Sequence, residues 1–179
     1  MTNMKDNQIL KKEKMNLMST NELKELLIKS WMTHDGMWFY HCLKECGIEK
    51  TNIINKAASR SLGKIEIKRF KKAFNIDNIK TFEQLKEFID KVISIVKADF
   101  MKFSYNFSEE NEFHFKMHKC FAYEGINRIG VLDDYKCGIF DRIEGWFETL
   151  GIPFHVSPKI DGCLIYKGEK CIRNYKFSF

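Results

Sequence analysis

Near Lys97 the spacing of apolar residues changes. Upstream, Phe82, Leu85, Phe88, Ile89, Val92 and Val96 recur at three- and four-residue intervals, the repeat of a helix buried on one side. Downstream, Met101, Phe103, Tyr105 and Phe107 alternate with Lys102, Ser104 and Asn106, the two-residue repeat of a strand with one wet face. One kind of element cannot satisfy both periods. The chain therefore divides into a helical part, 19–97, and a sheet-containing part, 98–179, of a single α+β domain.

Capping signals place the helices. Ser19 with Glu22 has capping-box form, and Leu23, Leu26, Leu27, Trp31, His34, Trp38 and Cys42 then follow a helical period as far as Gly47. A second helix is predicted over 49–60, closed by Gly63, and a third over 64–74. The fourth is capped by Thr81 with Gln84. In the second half, 99–107 and 112–121 read as an antiparallel hairpin about a short polar turn. Leu132-Asp133-Asp134 reads as the start of one further helix, carried by Ile139, Ile143, Trp146, Phe147 and Leu150 and stopped by Gly151. Three short strands are predicted at 152–156, 163–167 and 171–179, the last two joined at Lys167-Gly168-Glu169-Lys170. The expected architecture is N-terminal helices followed by an antiparallel sheet, with one helix inserted and the helices on one sheet face.

Composition narrows the class. The chain is 44% hydrophobic, with sixteen Phe, enough for a sizeable core. Its net charge of +6 comes from lysines spread along the sequence, which disfavours nucleic acid as partner. In 64–73, Ile65, Phe70 and Ala73 turn inward while Lys64, Lys68, Lys71 and Lys72 form a solvated face. No apolar run reaches the length of a membrane span. Residues 1–18 lack the apolar core of a secretory signal and read as a mobile tail, so a cytoplasmic location is expected. Six cysteines in 179 residues do not make a disulfide scaffold; they are expected to be free or metal-bound.

Cys137 would lie in the first turn of its helix, where the helix dipole favours a thiolate, making it a candidate nucleophile or ligand. His118 and Cys120 are two apart on one predicted strand face with His114, a spacing open to a base–nucleophile pair or to metal ligands. Cys120, Cys137, Cys163 and Cys171 lie in the C-terminal half. If the fold brings them together they suit a zinc ion or an iron–sulfur cluster. The stretch from Trp31 to Cys42 offers His34 and Asp35 as a base or ligand pair beside Trp31, Trp38 and His41, or as ordinary helix packing.

The run Trp31-Met32-Thr33-His34-Asp35-Gly36-Met37-Trp38-Phe39, followed by Gly47-Ile48-Glu49-Lys50, resembles an uncharacterised prokaryotic family with a W-x-x-H-D-G-x-W-F opening. The second half has Cys120, Tyr123, Gly130, Cys137, Gly145-Trp146 and the ending Cys163…Gly168-x-x-Cys171. It is similar to L-2-amino-thiazoline-4-carboxylate hydrolase-like proteins and to vinyl-reductase-like ligand-binding domains. The resemblance implies a pocket between helices and sheet and a small-molecule ligand, with Tyr123 near it. Two functions are then expected. One is hydrolysis of a cyclic amidine or similar C–N bond, using Cys137, Cys120, His118, His34 and Asp35. The other is non-catalytic binding of a metal or hydrophobic ligand through the cysteines. A homo-oligomer is compatible with either.

Overall fold

A computed structural model describes residues 18–179; of the tail expected at 1–18, all but Met18 lies outside the described residues. The chain divides into two compact units, one ending at Met37 and the other spanning Trp38–Phe179. Helix α1, Thr20–Ala73, begins in the first unit and ends in the second. Its capping box is complete: the Ser19 N–H donates to Glu22 Oε2 at 2.7 Å and the Glu22 N–H to Ser19 Oγ at 3.2 Å. The predicted apolar stripe forms on this helix, but Leu23, Leu26 and Leu27 are exposed. Periodicity announces the helix without saying what covers it.

The helices predicted over 19–74 form a run of two: the first ends at Gly47 as predicted, and the second and third are continuous. Gly47 leaves the helical region, at φ 73° and ψ 170°, and kinks it. Gly63 does not stop it. Gly63 is buried where α1 crosses the later helix Ile139–Leu150, and a Cβ there would lie 2.1 Å from the carbonyl oxygen of Arg142. The sequence signal for a stop was a signal for close approach. Helix α2, Phe82–Val96, starts as predicted: Thr81 Oγ1 accepts the Gln84 N–H at 3.3 Å, and Gln84 Oε1 accepts the Lys80 N–H at 2.8 Å.

Strands β1 (Lys102–Ser108) and β2 (Glu112–Lys119) form the expected hairpin. Two helices follow rather than one, α3 (Phe121–Arg128) and α4 (Ile139–Leu150), then β3 (Phe154–Ser157) and β4 (Ile172–Phe177). The sheet is antiparallel throughout, in the order β1-β2-β4-β3. Phe113, Phe115, Met117, Tyr175 and Phe177 form its inner face and pack on Leu85, Phe88, Ile89 and Val92 of α2 and on Ile143, Trp146 and Phe147 of α4. His114, Lys116, His118, Asn174 and Lys176 lie on the opposite, wetter face. The α+β architecture with helices on one sheet face is therefore as the two periods implied.

Three expectations fail locally. The second strand ends at Lys119, because Cys120 turns the chain into α3 as its N-cap. Leu132–Asp134 is a turn, and α4 begins only after Gly138, so Cys137 precedes the helix instead of lying in its first turn. Residues 163–167 form no strand. The Lys167, Gly168 and Glu169 N–H groups reach back to the Cys163, Ile165 and Leu164 carbonyls, closing successive turns, so the last hairpin is absent and β4 pairs with β2 and β3.

Candidate functional site

Cys120, Cys137, Cys163 and Cys171 come from four separate segments and line one hollow in the second unit. Cys120 caps α3, Cys137 lies just before α4, Cys163 is in the turn after β3, and Cys171 immediately precedes β4. Met117, Tyr123, Tyr135 and Phe140 supply the apolar wall between the sulfurs. The cavity volume is about 10 Å³, the space of one water.

Low polarity sets the protonation of Cys120, Cys137 and Cys171. Burial pushes the Cys120 thiol above its ordinary value, opposed by the backbone N–H groups of Tyr123 and Ala122. The Tyr123 N–H donates to its sulfur at 3.4 Å. Burial raises Cys137 to about 12, against the Ile139 N–H and reinforced by Cys120, Cys171 and Cys163. Cys171 is raised to about 12 by burial and by Cys120 and Cys163. Each sulfur therefore opposes ionisation of its neighbours, while backbone donors already point at two of them. A bare hollow of this kind holds thiols; a bound cation would convert them to thiolates. Among the described residues, no three His, Cys, Asp or Glu side chains stand in metal-binding geometry as the chain is arranged, so ligation requires the sulfurs to draw inward.

One residue that sequence reasoning missed positions the site. Asn52, buried on α1, donates from Nδ2 to the Asp134 carbonyl at 2.7 Å and accepts the Lys136 N–H on Oδ1 at 3.0 Å. It holds the backbone just before Cys137 as a neighbouring strand would. Its only sequence signal is a polar side chain between Thr51 and the apolar pair Ile53-Ile54.

The other candidates lie elsewhere. His118 is exposed, bonded through Nε2 to Ser104 Oγ at 2.8 Å, and Cys120 has left its strand, so the expected side-by-side pair does not form. His34 and Asp35 belong to the first unit; their side chains are 77% and 57% exposed and 3.8 Å apart. Trp31 is half-buried, and Trp38 is exposed. Tyr123 lines the hollow, as the resemblance implied.

Residues 11–156 match the family of unknown function DUF6125. The chain belongs to that family. No curated protein matches this DUF6125 member. Among solved structures it is similar to a trafficking protein particle complex subunit 3 from Naegleria fowleri, covalently bound to palmitic acid. The identity is 15%, the TM-score 0.49, and the match covers 87% of this chain and 95% of that one. No helix among the described residues is long and apolar enough to cross a membrane.

Proposed function

We propose that this DUF6125 member is a binding module whose working part is the four-cysteine hollow, and that Cys120, Cys137, Cys163 and Cys171 take up a thiophilic metal ion, zinc before an iron–sulfur cluster. The observation that carries this is the convergence of four sequence-distant thiols on one hollow. Its volume of about 10 Å³ favours an ion over an organic molecule, which would have to widen it. The same set, four soft sulfurs, is the donor chemistry zinc and iron select. Backbone N–H groups at Cys120 and Cys137 are the outer-shell donors that stabilise bound thiolates.

Hydrolysis by a thiol nucleophile is the weaker reading. It calls for a thiol ionised at neutral pH, whereas burial raises Cys120, Cys137 and Cys171. The deciding experiment is elemental analysis of protein purified without oxygen. The expected result is one zinc per chain, lost from Cys137→Ser and Cys171→Ser variants that remain folded. Metal-free protein whose melting temperature ignores both chelator and added zinc would refute the reading.

A further inference from the structure

Two loops form the outer wall of the hollow. One, 129–138, carries Tyr135 and Cys137; the other, 158–171, carries Gly162, Cys163 and Cys171. The first is anchored from within, since Leu132 and Tyr135 are buried with Phe39 and Ile126, and Asn52 bridges its backbone. The second enters the same core through Cys163 and is buried again at Leu164; at its outer edge it is fastened to the first by exposed groups. Lys136 Nζ donates to Asp161 Oδ1 at 2.5 Å between side chains 44% and 74% exposed. The Tyr166 hydroxyl donates to Asp133 Oδ1 at 2.6 Å, also in the open. Lys167 Nζ holds the Asp161 carbonyl at 2.6 Å, bracing residue 161 within its own loop. Between these fastenings the loops meet at Gly162, where a Cβ would lie 3.6 Å from the Tyr135 carbonyl oxygen.

Nothing larger than a water fits the cavity as it stands, so an ion cannot settle among all four sulfurs unless a wall moves; Cys120 and Cys163 are buried, while Cys137 and Cys171 are partly exposed. The inner walls belong to the core: Met117 sits on β2 and Phe140 on α4. The loop joint is the weak seam, because exposed ion pairs are screened by water and salt and contribute little.

We propose that the 158–168 segment is the gate of the thiol hollow, latched onto 132–137 by Lys136–Asp161 and Asp133–Tyr166. The gate rests on the hollow being the working site, but it concerns only access to the thiols and is read independently of metal. In a Cys42→Ser, Cys46→Ser background the hollow cysteines are the remaining thiols. Their labelling by a disulfide reagent such as dithiobis(nitrobenzoate) is followed by release of nitrothiobenzoate on metal-free full-length protein, and peptides carrying the mixed disulfide locate the sites. Lys136→Ala combined with Tyr166→Phe is expected to speed labelling of Cys137 and Cys163 by roughly fivefold or more at an unchanged urea midpoint. In the unaltered latch, raising salt is expected to speed labelling in the same direction. Labelling that ignores both the folded double variant and salt overturns the gate. Should the double variant not fold, the salt series decides alone. If the native chain takes up no zinc while the latch still controls labelling, the metal reading fails and the gate stands.

Discussion

Asn52, itself buried, ties together distant parts of the chain with two part-buried hydrogen bonds, at 2.7 Å and 3.0 Å. Replacing it with leucine keeps the volume and strands the Asp134 carbonyl and Lys136 N–H without partners. Asn52→Leu is expected to lower stability by about 2 kcal/mol in urea denaturation. It is also expected to weaken zinc uptake by roughly tenfold or more in competitive titration, since Cys137 follows the held backbone directly. A loss of stability with zinc affinity intact would make Asn52 structural only. This residue was scarcely legible in the sequence. A lone Asn on a helix has no pattern, and its meaning lies in a loop 82 residues away.

At the level of elements, α1 and α4 cross on two glycines. A Cβ on Gly63 would meet the Arg142 carbonyl oxygen at 2.1 Å, and one on Gly145 the Arg60 carbonyl oxygen at 2.4 Å. Charged bonds flank the crossing. Arg142 reaches Glu66 through Nε at 2.8 Å and Nη2 at 2.6 Å, and Trp146 donates to the same carboxylate at 3.0 Å. Arg60 reaches Asp141 at 2.8 Å and Glu144 at 2.6 Å. Backbone cannot retreat as a flexible side chain can, so Gly63→Ala is expected to cost about 3 kcal/mol. Gly36→Ala, with open space around the added methyl, is expected to gain about 0.5–1 kcal/mol from helix propensity. Denaturant unfolding of the two variants checks the contrast; equal effects would show that the crossing is loose. The helical period foretells both helices, but Gly63 mimics a stop, because glycine marks helix ends and close contacts with the same letter. Helix α3 went unseen for a related reason: its alternating approach through β2 gave no warning that Cys120 would turn the chain.

For the molecule as a whole, pH should report the buried thiols. Cys137 and Cys171 are each raised from 9.0 to about 12 in the fold. The fold therefore favours their neutral forms. Below pH 9 the thiols stay protonated whether folded or not, and their contribution is complete; as pH climbs from 9 toward 12 the unfolded chain ionises first and stability drains away. Metal-free protein is expected to show a falling urea midpoint across that window. A folded Cys137→Ala variant should show a shallower fall, which separates this thiol from the raised tyrosines Tyr135 and Tyr175. An identical fall in both would remove Cys137 from the account. The two hydrophobic periods, the capping boxes and the hairpin are properties of neighbouring residues, so the amino-acid order by itself determined the α+β class, the first strand pair and the buried faces of α2 and α4; on α1 the predicted inward residues Leu23, Leu26, Leu27, Ile65 and Ala73 are exposed. The meeting of Cys120, Cys137, Cys163 and Cys171 was decided only in three dimensions. It depends on β4 pairing with β2 and β3, on the turn after Cys163, and on α1 pinning the loop before Cys137. Such convergence is set by long-range closure of the chain, which no local spacing of residues encodes.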